Sequence, residues 1–173
     1  MMFSSTNNDV ATIEASAATA LEASSATENG LGCMVIGFSD KRRQLLASAA
    51  EAAGMTVVEW ADPKAARIQL LRNPPAMVVM DLEDTSGSAP EALKSLAERV
   101  SKQRDLLIAM CGNEGNAREE IWARQLGVWL YLPGVVDDSD LSSLLEEGSQ
   151  VAARRASAAG RDAYFPEGET ASA

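Results

Sequence analysis

From about residue 31 to residue 155 the apolar positions follow two alternating rhythms. Short, mostly apolar runs occupy 33–38, 55–60, 76–81, 106–110 and 128–132. Runs of that length and composition predict strands buried on both faces, as in a parallel sheet. Between them, apolar residues recur every three or four positions, the spacing of one helix face. Leu45, Leu46, Ala49 and Ala53 give a narrow face to a helix over 41–53, with Gly54 as its stop. Asp62-Pro63 opens a second helix that runs to Arg72, with proline in the first turn, and Asn73-Pro74-Pro75 ends it. Pro90 opens a third helix with Leu93, Leu96, Ala97 and Val100 inward. A fourth spans 116–126. Ser139 or Asp140 caps a fifth, which carries Leu141, Leu144, Leu145 and Val151. Strands alternating with helices imply right-handed crossovers and a parallel sheet covered on both sides. Five such units predict an α/β, flavodoxin-like, doubly wound sheet of order 2-1-3-4-5.

The flanks differ in kind. Residues 1–31 are rich in Ser, Thr, Ala, Asn and Glu, with Phe3 the one aromatic. Such a composition buries too little apolar surface to offset its ordering entropy, so a disordered acidic tail is expected. Within it, Val10, Ile13, Ala17 and Leu21 fall roughly on one face of a transient helix. Residues 158–173 read as a second tail, which leaves one domain over 32–157. The chain carries a net charge of -10. Asp9, Glu14, Glu22 and Glu28, with no Lys or Arg, place -4 of it in the first tail. An acidic chain is a poor fit to the nucleic-acid backbone, so no nucleic-acid partner is expected.

The sequence has no histidine. That excludes a Ser-His-Asp device, a His-ligated metal and a phosphohistidine of the chain's own. Cys33 and Cys111 lack metal-site spacing and fit a reduced, cytoplasmic setting. No signal peptide or membrane-spanning apolar run is evident. No metal, cofactor or enzymatic activity is expected.

Asp81 ends the run Ala76-Met77-Val78-Val79-Met80, which places a carboxylate at the C-terminal tip of a central strand. Ligands of open parallel sheets collect at that edge. With 45–59 and Gly127-Val128-Trp129-Leu130-Tyr131-Leu132-Pro133, this passage resembles the receiver domains of bacterial response regulators. The resemblance covers roughly 33–155 and makes Asp81 the phospho-acceptor position. It implies that an acidic pair after the first strand holds Mg²⁺, yet those positions fall on Gly37 and Phe38. Asp40, two residues on, is the nearest carboxylate. The hydroxyl position at the end of the fourth strand falls on Cys111, and a thiol is a poor donor. The lysine position falls on Gly134. Without a metal, Glu83 and Asp84 would repel a dianionic phosphoryl group. The plainer reading of Asp81 is a loop hydrogen-bonder.

Tyr131 matches the family's mobile aromatic, and Trp129 stands where the family is usually polar. Trp122 and Trp129 are expected to form a contact patch with Tyr131, since aromatics anchor interfaces. The alternative is burial under the fifth helix or the second tail. These residues support a stand-alone degenerate receiver-like module. It would act on signalling proteins, or on itself, through the fourth helix, fifth strand and fifth helix, with no membrane partner. Two alternatives stay open: an atypical phospho-acceptor of a phosphorelay, and a flavodoxin-like small-molecule binder using Ser39, Asp81 and Cys111.

Overall fold

The structure, a computed structural model, describes residues 31–83, 89–134 and 138–159. Most of the two tails, and Asp84 and Asp137, lie outside the described residues. Five strands form one parallel sheet: β1 (Leu31–Ile36), β2 (Met55–Trp60), β3 (Met77–Asp81), β4 (Leu107–Gly112) and β5 (Leu130–Pro133), in the order β2-β1-β3-β4-β5. The helices are α1 (Asp40–Ala52), α2 (Pro63–Arg72), α3 (Ala89–Val100), α4 (Ala117–Gln125) and α5 (Asp138–Ala158). The doubly wound expectation holds.

Local chemistry sets the helix starts. Ser39 Oγ caps α1 by accepting from the Arg42 amide, Asp62 caps α2 through the Lys64 amide, and Asn116 caps α4 through the Glu119 amide. Gly54, Gly127 and Gly134 take positive φ at the turns, a conformation that costs glycine no steric strain.

Alternation along the central strands divides the core in two. Cys33, Val35, Met77, Val79, Ala109, Cys111 and Leu132 face α1 and α5. Met34, Ile36, Val78, Met80, Ile108, Met110 and Tyr131 face α2, α3 and α4. Leu93, Leu96, Ala97 and Val100 are all buried, as their spacing predicts. The boundaries of β5 and α5 shift. Val128 and Trp129 precede the paired strand, and α5 already includes Asp138, so Ser139 and Asp140 lie inside the helix rather than capping it.

Candidate functional site

The carboxyl edge of the sheet gathers the ends of β1, β3, β4 and β5. Asp81 closes β3 opposite Cys111 of β4 and is 1% exposed. A bare carboxylate at that depth needs a counter-charge. Arg42, in the first turn of α1, supplies it. Its Nε donates to Asp81 Oδ2 at 2.9 Å and its Nη2 to Oδ1 at 2.9 Å. This is the two-pronged arrangement that a planar guanidinium makes with a carboxylate. The third nitrogen, Nη1, pairs with Glu83 Oε2. The Glu83 amide donates to Asp81 Oδ1 at 3.3 Å. Burial disfavours the charge on Arg42, but the hydrogen bond and charge of Asp81, then the charge of Glu83, outweigh it and raise the guanidinium's pKa.

The residues around this pair fit it closely. A Cβ built on Gly37 would stand 2.9 Å from the Asp81 Cβ. The loop after β1 thus passes too near Asp81 to carry a side chain there. Phe38 is half-buried against the α2–α4 core. Asp40 is not part of the site, because it is solvent-facing and pairs with Arg43 Nη2 at 2.7 Å. Arg43 also bonds the Gly37 carbonyl at 3.0 Å and Glu59 at 3.2 Å, which fastens the β1 loop to β2. Cys111 is 3% exposed, and burial, then the negative charge of Asp81, pushes its thiol up to about 12. It is a neutral filler at neutral pH. Gly134 is buried with φ +80°, so a lysine there would meet backbone strain. Its amide donates to the Gly112 carbonyl at 2.8 Å.

A second polar cluster lies on the other side of β4 and β5. Tyr131 points inward and is 8% exposed. Its hydroxyl donates to Glu119 Oε1 at 2.9 Å, and the Asn113 amide donates to the same oxygen at 3.1 Å. Burial and then the bond to Glu119 raise the Tyr131 pKa above its ordinary value. Gly112 makes the pairing possible: a Cβ there would lie 2.1 Å from the Tyr131 hydroxyl and 2.3 Å from Glu119 Oε1.

The aromatic trio does not share one surface. Trp129 packs on the α1–α5 core, its ring against Gly148 of α5. Trp122 packs on the opposite core, with Lys94 Nζ 6.0 Å from the ring centre. Tyr131 is buried. The expected single patch of Trp122, Trp129 and Tyr131 is thereby corrected. Trp129 precedes the strand, so strand alternation does not govern its direction. Of the expected small-molecule trio, Ser39 accepts from the Arg42 amide, Asp81 is held by Arg42, and Cys111 is buried beside it.

Sequence reasoning missed Arg42 and Glu119. One signal for Arg42 was available. A buried acid without metal ligands demands a cation, and α1 opens with Lys41-Arg42-Arg43 beside it. Glu119 gave no such signal, because a glutamate in a first helical turn reads as a dipole partner.

Neither a family profile nor a curated protein sequence matches the chain. Solved structures do. NtrX from Brucella abortus, in complex with ATP, superposes with a TM-score of 0.62 at 16% identity, over 76% of this chain and 29% of its own. This chain thus spans less than a third of that protein's length. A response regulator receiver domain protein (CheY-like) from Methanospirillum hungatei gives 0.61 at 13% identity, over 72% of this chain and 98% of its own. A putative response regulator from Chloroflexus aurantiacus gives 0.58 at 19% identity, over 70% and 98%. The five strands in this order, with an aspartate closing the third and helices on both faces, form the fold of the response regulator receiver domains.

Proposed function

We propose that the chain is a degenerate receiver-like signalling module that acts by protein–protein contact, without phosphorylation of Asp81 and without enzymatic activity of its own. One observation carries this reading: the Arg42 fork engages both oxygens of Asp81, which is 1% exposed. An acceptor carboxylate needs one oxygen free to attack phosphorus and a divalent cation to neutralise the developing charge. Here a built-in guanidinium holds both oxygens and stands in for the cation. Gly37 leaves no room for a metal ligand, Cys111 offers a thiol in place of a hydroxyl, and Gly134 replaces the lysine. Asp81 thus already has its counter-charge within the fold, and Tyr131 is held inward by Glu119. In this reading the outer face keeps one arrangement, and partners read it constitutively.

Among the described residues no helix is long and apolar enough to cross a membrane. A cytoplasmic location belongs to the same proposal. On the expected interaction face, α4 retains an apolar outer position, Ile121, 56% exposed beside half-buried Trp122. A signalling partner, or a second copy, is assigned to that helix.

The test is direct. Acetyl phosphate or beryllofluoride with Mg²⁺ is added to the full chain, and intact mass is measured. No adduct is expected. An acid-labile adduct on the wild type that disappears in Asp81→Asn overturns the reading in favour of an atypical acceptor.

A further inference from the structure

The outer face of α2 stands apart from the rest of this acidic molecule. Lys64, Arg67, Ile68, Leu71 and Arg72 are all exposed and follow the i, i+3, i+4, i+7, i+8 spacing of a single stripe. The helix contains no acid between Pro63 and Arg72. None of its three cations has an ion-pair partner among the described residues. Ile68 is 50% and Leu71 72% exposed, two of the three large apolar side chains left open in the described structure. An exposed apolar pair framed by unpaired cations contributes no burial to the domain, and contiguous exposed apolar patches mark contact sites.

We propose that this stripe is the docking site of residues 9–22 of the same chain. The complementarity is twofold. Asp9, Glu14 and Glu22 supply negative charge with no Lys or Arg among them, opposite the three cations of α2. Val10, Ile13, Ala17 and Leu21 repeat at the same three-to-four spacing as Ile68 and Leu71. A helix laying its apolar side on an apolar stripe, with charges outside the seam, is a recurring recognition mode. This composition cannot pack by itself, but it can order against a surface that supplies the missing apolar area.

The connection allows it. Leu31 starts β1 beside Met55, at the N-terminal end of edge strand β2. α2 leaves the far end of β2 and returns toward the start of β3, so Arg72 lies at the end where the first tail joins. Nine residues, 23–31, extend up to roughly 30 Å, about twice the ~15 Å length of a ten-residue helix. The acidic tail then covers α2 and leaves α4 free for a partner.

Amide hydrogen exchange of the full chain, read by mass spectrometry, tests the proposal against a synthetic peptide of residues 1–30. Peptides from 9–22 should exchange about tenfold or more slowly in the full chain than in the synthetic peptide, a difference of ~1.4 kcal/mol. Protection should be independent of protein concentration. It should vanish in Ile68→Asp with Leu71→Asp, while β3 stays protected. Should that variant lose β3 protection, Arg67→Glu with Arg72→Glu replaces it, with the same loss expected over 9–22. Exchange at the free-peptide rate in the wild type overturns the proposal. So does protection that rises with protein concentration, which assigns the stripe to a second copy. Protection of α2 that requires vesicles of anionic phospholipid also overturns it, in favour of a membrane surface.

Discussion

At the scale of single residues, the pairing of Arg42 with Asp81 supplies the counter-charge at the sheet edge. Removing one partner of a buried pair leaves a charge without compensation, whereas replacing both with apolar groups often costs little. Arg42→Ala should therefore destabilise by about 3 kcal/mol, the low end of that range because Arg42 is itself 16% exposed. Arg42→Met combined with Asp81→Leu should return to within about 1 kcal/mol of the wild type. Urea unfolding of the three proteins checks this. An Arg42→Ala midpoint equal to that of the wild type would show that the pair is not the anchor described above.

The cysteines give a second residue-scale expectation. Burial pushes both Cys33 and Cys111 from 9.0 to about 12. A raised folded-state value means that the folded protein binds the proton more tightly than the unfolded chain. The associated stability is complete below pH 9 and falls as pH rises toward about 12. Urea midpoints should be level below pH 9 and then fall. Cys33→Ala with Cys111→Ala should flatten that fall, although the Tyr131 hydroxyl contributes a further decline at higher pH.

At the scale of elements, α5 is fitted to the residue before β5. A Cβ on Gly148 would come 2.8 Å from Trp129 Cζ3 and 3.1 Å from Met77 Cε. Two effects compete in Gly148→Ala. Helix propensity favours alanine by about 1 kcal/mol, and overpacking a rigid ring costs about 1–3 kcal/mol. The clash should win, with a net loss of roughly 1 kcal/mol. In a Trp129→Leu background the ring edge is gone, so the same change should stabilise by up to about 1 kcal/mol. A thermodynamic cycle of the four proteins reads this sign reversal directly. The absence of a reversal would show that Trp129 does not determine the α5 packing.

At the scale of the whole molecule, the two cores share the central strands. β1, β3 and β4 present alternate residues to both sides, so neither layer can dissolve while the other keeps its sheet. One cooperative transition is expected. Trp122 reports on the α2–α4 side and Trp129 on the α1–α5 side. Single-tryptophan variants retaining one or the other should each show coincident urea transitions by fluorescence and by circular dichroism. Separate fluorescence and circular-dichroism midpoints within either variant would reveal two folding units.

The architecture was legible in the residues because it is dictated by local periodicity. Continuous runs such as Met77–Asp81 have to be buried on both faces. Leu93, Leu96, Ala97 and Val100 have to share one helix side, and right-handed crossovers then leave few sheet orders. Asp81 at a strand tip was legible for the same reason. Tertiary structure decided which groups meet. Arg42 lies 39 positions from Asp81 and Glu119 lies 12 from Tyr131. No periodicity links such positions, and contacts made by long side chains depend on how helices seat on the sheet. It also decided the directions of Trp122 and Trp129, which stand seven residues apart in sequence and on opposite sides of the sheet. A sequence states which side chains need partners, because burial of charge and apolar surface has a fixed physical cost. Only the packed fold determines which partners are within reach.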